Sequence, residues 1–360
     1  MEFALTEEQR MLQTSIVGYL DAECQLDVVR SAAEAGETRS NAVWDGLTNL
    51  GVHGILVPEE HGGVGLGFLA TALISEALGA AVAPVPFVGS AVMAPVALLE
   101  AGSDEQRERW LPRIASGETV MGVGVTEQIA RRESDGVSAS GGTLTGKAMF
   151  VLDGADADAY IIADDTGALH IVNAADITRR KLLTVDRTRG VAEVVLEGAA
   201  ADLLPGSESD REPLLKVIDA GRLMLAADTL GAAQTMLDKA VAYALERRQF
   251  NRVIGSFQAV KHMCAEMASE LEPCRSLIWY ASHSVTALPD EARLMACHAK
   301  AHLAEVGRFV ARTSTEVHGG MGFTDLLGLH YWFKRIGFDR QLLGAPELVR
   351  REAAAVQGWA

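Results

Sequence analysis

The stretch AYIIADDTG at residues 159–167 decides the fold class, because it is a short apolar run that ends in a turn. Its aromatic and β-branched residues favour a strand, and Asp165-Thr166-Gly167 favours a turn. Similar short runs, separated by Gly and Asp, recur between residues 119 and 206. This segment is therefore predicted to form a middle antiparallel β domain.

The segments on both sides of the β domain have helical periodicity. In residues 1–118, Thr6 and Ser103 are each followed by acidic residues, a pattern typical of helix N-caps. In residues 207–360, three long amphipathic stretches lie at 217–246, 258–284 and 291–317. Because helices and strands are segregated, we predict an α+β fold with an N-terminal α-helical domain, a middle antiparallel β domain and a C-terminal four-helix bundle.

The composition excludes several classes of protein. The 360 residues are 49% hydrophobic, so a large core is available, and the net charge of −16 argues against a nucleic-acid binder. The four cysteines are too few for a disulfide scaffold and have no zinc-ligand spacing, so no metal site is predicted. We expect a reduced, cytoplasmic enzyme.

No membrane association is predicted. The run between Glu76 and Glu100 has no formal charge, but Pro84, Pro86 and Pro95 interrupt it. Such a run is better explained by two buried helices joined by a proline-rich turn than by one membrane span. The first residues lack the basic and apolar segments of a signal peptide, so none is expected.

Motifs along the whole chain resemble those of the acyl-CoA dehydrogenase family. The N-terminal motifs are LGV at 50–52, VPEEHGGVG at 57–65 and EALG at 76–79. The middle motifs are VTE at 125–127 and GK at 146–147. The C-terminal motifs are YALERRQF at 243–250, IGSFQA at 254–259 and EVHGGMGFT at 316–324.

This resemblance implies a flavoprotein that binds FAD between subunits. In the family, a glutamate removes the α proton of an acyl-CoA while the flavin takes the β hydride, and an electron-transfer flavoprotein accepts the electrons. The resemblance implies cofactor-binding roles, mostly toward the ADP half of FAD, for Arg247, Phe250, Gln258, Glu316, Gly319, Gly320 and Thr126. Glu316 replaces the usual Gln, and its charge would weaken pyrophosphate binding unless it points away or is paired.

The sequence departs from the family at the positions of the catalytic base. Leu343 stands where the common family glutamate is expected, and Gly221 stands at the alternative position. The middle domain also departs from the family: Gln128 replaces a proline, and the family's Ala-Gly-Ser-Asp run is not clear in residues 129–135. The sequence FVL at 150–152 lacks the hydroxyl that the family places near the flavin.

The leading hypothesis is that the chain is a degenerate subunit of a heteromeric, α2β2 acyl-CoA dehydrogenase. This subunit would bind the ADP half of an FAD that is seated in a homologous catalytic partner. By resemblance, the substrate is a bulky acyl-CoA such as a steroid-derived thioester. One alternative is a self-sufficient homotetramer with a relocated base, for which Asp228 is a better candidate than Asp219 or Glu347. Another is a flavin-free scaffold that binds acyl-CoA.

Overall fold

Six helices form the N-terminal part of the computed structural model, which describes residues 4–130 and 136–359. They are α1 (Glu7–Glu23), α2 (Leu26–Ala35), α3 (Asn41–Thr48), α4 (Gly67–Ala80), α5 (Ala94–Ala101) and α6 (Asp104–Ala115). Thr6 and Ser103 form capping boxes with Gln9 and Gln106, which confirms the two predicted helix starts. Each box satisfies two backbone N–H groups that the helix itself leaves without acceptors.

The uncharged run between Glu76 and Glu100 is buried in the core. It forms the end of α4, a π-helical segment at Phe87–Met93 and most of α5, and every residue of the π-helical segment is buried. Within the described ranges, no helix combines the length and the apolar character that are needed to cross a bilayer. The prolines therefore divide the run into separate core elements, as predicted.

Within residues 119–130 and 136–206, eight strands form the middle sheet, in the order β6-β7-β3-β1-β4-β5-β8, with β2 paired to β3. The strands are β1 (Met121–Gly124), β2 (Gly136–Ser140), β3 (Thr143–Leu152), β4 (Ala159–Ala163), β5 (Leu169–Asn173), β6 (Thr178–Lys181), β7 (Val191–Ala200) and β8 (Asp202–Leu203). The predicted antiparallel sheet differs in one pair, because β1 and β4 run parallel. The longer connection through β2 and β3 allows β4 to return in the same direction as β1.

Three long helices and two shorter ones form the C-terminal part. They are α7 (Glu212–Glu246), α8 (Gln258–Ala287), α9 (Pro289–His318), α10 (His330–Asp339) and α11 (Pro346–Val356). A small hairpin of β9 (Arg248–Gln249) and β10 (Arg252–Val253) joins α7 to α8. The α+β class, with helices on both sides of a β segment, is confirmed.

Helices α4 and α7 approach each other closely at two glycines. A Cβ atom on Gly79 would lie 2.0 Å from the carbonyl oxygen of Asp228. A Cβ atom on Gly231 would lie 1.8 Å from the carbonyl oxygen of Glu76. Both distances are far shorter than a van der Waals contact, so only glycine fits at these positions. The contact places α7 in the core, and its residues 220–233 are all buried.

Buried charged side chains join the sheet to the C-terminal helices. Arg189, just before β7, donates from Nε to Asp339 Oδ1 at 2.6 Å, and its Nη2 lies 3.0 Å from Asp228 Oδ2. Arg335 lies 3.3 Å from Asp186 Oδ2 and 3.5 Å from Asp228 Oδ2. Burial raises the pKa of the Asp339 carboxyl, and the Arg189 guanidinium opposes this shift. The junction therefore depends on each charge having its partner.

We expect Gly231→Ala to lower the free energy of unfolding by about 1–3 kcal/mol, since the new methyl group has no room against Glu76. Gly18→Ala in α1 is the matched control. Its Cβ would meet no atom within 4 Å, so helix propensity alone should raise stability by about 0.5–1 kcal/mol. Urea unfolding of both variants measures the difference, and equal effects would contradict the close helix contact.

We expect Arg189→Met to cost about 3–5 kcal/mol of unfolding free energy, because it leaves Asp228 and Asp339 buried with less compensating charge. Arg180→Met is the control, since this exposed arginine pairs with Glu193 at 3.2 Å on the sheet surface. Its loss should change stability by less than about 1 kcal/mol. A similar urea midpoint for the two variants would show that the buried junction is not important for stability.

Candidate functional site

Leu343 and Gly221, the two positions where a base was expected from the resemblance, meet in space. A Cβ atom on Gly221 would lie 2.5 Å from Leu343 Cδ1 and 2.7 Å from Met93 Sδ. Leu343 is 2% exposed, and Met93 and Gly221 are also buried. Hydrocarbon and thioether groups therefore occupy the place that a carboxylate from either position would enter.

Arg222 holds the turn that carries Leu343. Its side chain is buried, and its Nε donates to the carbonyl oxygen of Leu343 at 2.9 Å. Its two Nη groups donate to the carboxylate of Glu352 at 2.7 and 2.9 Å, which balances the buried charge. Leu343 has φ +55° and Gly344 has φ +108°. The hydrogen bond from Arg222 thus stabilises a left-handed turn that leucine alone disfavours.

A cavity of about 440 Å³ lies beside Leu343. Its wall is mostly apolar and includes Ile129, Met149, Phe150, Phe338, Leu342 and Leu348. Thr126 also lines it and donates a long hydrogen bond of 3.5 Å to the carbonyl oxygen of Phe150. The volume is in the range of small-molecule sites. A bulge in β3, where Phe150 has φ +51°, turns this part of the strand toward the cavity.

The other two residues of the FVL motif do not add a hydroxyl to this cavity. Val151 and Leu152 are buried in β3, and neither is among the lining residues. Part of the unclear Ala-Gly-Ser-Asp stretch, residues 131–135, lies outside the described residues. Among the described residues, the polar side chains that line the cavity are those of Thr126, Glu127 and Gln341.

A second group of predicted site residues lies on the connection between α7 and α8. Arg247 and Gln258 flank the hairpin, and both side chains are exposed. Phe250 and Asn251 form its two-residue turn with φ +52° and +62°, and the Phe250 side chain is 86% exposed. A phenylalanine in this conformation is strained, and such strain is more frequent at binding sites than elsewhere.

Gly319 and Gly320 lie at the same end of the bundle. The rings of Tyr243 and His318 stack at 4.8 Å, so the last turns of α7 and α9 are in contact. Gly319 follows α9 with φ +58° and ψ −140°, which only glycine adopts readily. A Cβ on either glycine would meet no atom within 4 Å, so the loop leaves an open side where a ligand could approach the backbone.

The other two predicted ligands differ in their surroundings. Glu316, in the last turn of α9, is exposed, and its carboxylate forms no ion pair with any of the described residues. Thr126 is not part of the hairpin and glycine-loop group, because it lines the cavity beside Leu343. Within one chain, the structure thus forms two separate groups from the predicted residues.

The candidate carboxylates for a relocated base lie elsewhere. Asp228 is buried between Arg189 and Arg335, where it serves as an ion-pair partner, and it does not line the Leu343 cavity. Asp219 binds Arg293 at 2.9 Å. Glu347 lies in the first turn of α11 and pairs with Arg340. In this structure none of the three carboxylates lines the cavity beside Leu343.

The sequence did not indicate the roles of Met93, Arg222 and Glu352. Asp219 and Arg222 form an i,i+3 pair, which is a local signal that a buried arginine has a partner nearby. Glu352 is far away in the sequence and Met93 belongs to a different domain, so no periodicity connects either residue to Leu343. Only the packing of α11 and of the π-helical segment brings them together.

Sequence comparisons identify relatives for most of the chain. The family model "Acyl-CoA dehydrogenase, N-terminal domain" matches residues 6–118, and "Acyl-CoA dehydrogenase, C-terminal domain" matches residues 214–357. The acyl-CoA dehydrogenase IpdE2 of Mycolicibacterium smegmatis is 29% identical over 98% of this chain and 100% of its own length.

Two solved structures of similar sequence have the same fold. A chain of the ChsE4-ChsE5 complex from Mycobacterium tuberculosis is 27% identical, with a TM-score of 0.92 and full coverage of both chains. A chain of the Tcur3481-Tcur3483 steroid acyl-CoA dehydrogenase is 26% identical, with a TM-score of 0.87 and 98% coverage of both chains.

We expect Gly221→Ala to lower unfolding free energy by about 1–2 kcal/mol in the native background, because its methyl group meets Leu343 and Met93. In a Leu343→Ala background the same substitution should cost less, because the contact with Leu343 Cδ1 is removed and only the contact with the flexible Met93 side chain remains. Urea unfolding of the four proteins gives the coupling energy, expected to be about 1 kcal/mol or more. Additive effects would contradict the contact.

Proposed function

The chain belongs to the acyl-CoA dehydrogenase family, and from this premise we propose that it is the non-catalytic subunit of a heteromeric enzyme, holding the ADP half of FAD for a homologous catalytic partner. The single observation that carries the proposal is the contact of Leu343 with Gly221 and Met93. It leaves no carboxylate at either position where the family places its base.

The chemistry of the family explains why this contact is decisive. Members bind FAD, which when bound takes the β hydride of the acyl-CoA. A base must remove the α proton at the same site, and it must lie within hydrogen-bond reach of that proton. In this chain the Leu343 side chain can neither accept nor hold a proton, and its turn is held in place by Arg222. We therefore propose that a residue of the partner chain takes the proton.

The exposed end of the bundle supports the other half of the proposal. The open side of Gly319 and Gly320 fits a nucleotide phosphate, because backbone N–H groups without a side chain in front can approach it closely. The Arg247 guanidinium can form ion pairs with the phosphates, and the exposed Phe250 ring can cover part of the nucleotide. Gln258 can form hydrogen bonds with the adenine edge, which completes the set.

The relatives support a partner and a substrate class. Two solved relatives are named as pairs of different chains, and one of them is named as a steroid acyl-CoA dehydrogenase. We extend both features to this chain: an α2β2 assembly, a bulky steroid-type acyl-CoA as substrate and an electron-transfer flavoprotein as the acceptor. A homotetramer that uses Asp228 as its base has less support, since that carboxylate is engaged by two arginines.

Expression of the chain alone and with a homologous acyl-CoA dehydrogenase chain from the same organism tests the proposal. We expect the isolated chain to be inactive, and the complex to contain one FAD for every two chains and to oxidise an acyl-CoA. Native mass, flavin absorbance and turnover with a flavoprotein acceptor give the three readouts. A yellow, active homotetramer made of this chain alone would refute the proposal.

A matched pair of variants tests which residues hold the cofactor. Arg247→Met in the complex should weaken FAD binding by about tenfold or more, because a charged hydrogen-bond donor is lost. Arg252→Met is the control: it lies in the same hairpin, but its guanidinium stacks on the Phe257 ring at 3.9 Å. If both variants retained FAD equally well, Arg247 would have no role in cofactor binding.

A further inference from the structure

A cavity of about 320 Å³ lies between the last turns of α1 and α4, the later part of α7 and the start of α10. Its wall is mostly apolar and includes Val17, Leu20, Leu26, Ala77 and Trp332. The volume is in the range of small-molecule sites. Because an apolar group leaves water when it enters such a space, the wall suits a compact hydrocarbon body.

Among the described residues that line this cavity, Lys239 is the only one with a cationic side chain. Its Nζ lies 4.8 Å from the centre of the Trp332 ring, and it forms no hydrogen bond or ion pair within the described part of the chain. Protein atoms do not close it off, since Nζ keeps accessible surface. Burial lowers the pKa of this ammonium, because it is poorly solvated. An anionic group of a ligand would supply the missing acceptor.

The ring beside the ammonium is held in place by the end of α4. Trp332 Nε1 donates to the carbonyl oxygen of Ala80 at 2.8 Å, and Thr235 Oγ1 donates to the same oxygen at 3.1 Å. The Trp332 side chain is 5% exposed, so the ring cannot turn without losing its hydrogen bond and its packing. This wall is therefore formed before a ligand arrives, which lowers the entropic cost of binding.

The other ionisable groups of the cavity do not neutralise Lys239. Asp21 is exposed to water, which screens its carboxylate, and it forms no ion pair with Lys239. Burial raises the pKa of the Cys24 thiol to about 11, so this thiol is uncharged at pH 7. The start of α2, at Gln25 and Leu26, also lines the cavity and has no capping side chain. The partial positive charge of a helix start adds to that of Lys239 and favours an anion.

We propose that this cavity binds a compact apolar monocarboxylate, with the carboxylate on the Lys239 ammonium and the hydrocarbon body against the apolar wall. One lysine matches one negative charge, whereas a phosphate dianion would keep a charge without a partner. The site shares no lining residue with the Leu343 cavity, and none of the predicted cofactor-binding residues lines it. Its assignment therefore does not require the proposed function.

Three cyclohexane probes of similar size test the ligand class. Cyclohexanecarboxylate, cyclohexanecarboxamide and cyclohexylamine are titrated calorimetrically into the purified full-length chain in its native assembly. We expect saturable binding of the carboxylate, with the amide weaker by about tenfold or more and the amine weaker still, because only the carboxylate is attracted to the ammonium. Equal affinity of the carboxylate and either other probe, or no saturable binding of the carboxylate, would overturn the proposal.

A matched pair of lysine variants tests the location. Lys239→Met should weaken the carboxylate by about tenfold, to the affinity of the amide, because it removes the charge and keeps a side chain of similar length. Lys334→Met is the control, since this lysine is exposed on α10 and does not line the cavity, so carboxylate binding should not change. Unchanged carboxylate affinity in Lys239→Met, or an equal loss in both variants, would overturn the site. If Lys239→Met fails to fold, the order of the probes on the native protein still decides the proposal.

Discussion

The close approach of α4 and α7 at Gly79 and Gly231 is the constraint on which the rest of the molecule depends. The two backbones are in direct contact, so α7 can neither rotate nor shift without a clash. Each face of α7 therefore packs against a fixed part of the structure. Gly221 faces Leu343, and Asp228 faces the arginines of the sheet junction. The residues on these faces of α7 therefore determine what lies beside Leu343 and what lies at the sheet junction.

The region around Leu343 is closely packed, although neither Leu343 nor Gly221 carries a carboxylate. Leucine and methionine side chains fill the space over Gly221, so there is no void against the helix at this point. The buried arginine that supports the turn also keeps its carboxylate partner, Glu352. The two positions where the resemblance predicts a base are therefore closely packed and apolar.

Much of the fold could be read from local patterns, because local physics determines those features. The caps at Thr6 and Ser103 and the strand Ala159–Ala163 were predicted correctly, since each depends on residues within a few positions. The parallel pairing of β1 with β4 could not be predicted, because pairing depends on connections between distant strands. The environment of Asp228 also depends on tertiary contacts, because its two arginine partners come from the segment before β7 and from α10.

For the candidate site, the sequence showed that Leu343 and Gly221 are not acids, but it did not show what surrounds them. The comparison of residue types at Leu343 and Gly221 needed only the motif order. The two positions touch, and Met93 completes the contact, because three separate elements pack together. The sequence does not show this packing.

The charged junction between the sheet and the helices affects how the protein responds to heating. Hydration of ions becomes less favourable as temperature rises, so the cost of keeping Arg189, Arg335 and their aspartates away from water falls on warming. Apolar contacts gain no such advantage. Near the melting temperature, the ion pairs between the β sheet and the C-terminal helices should therefore persist, while exposed segments with few buried contacts unfold first.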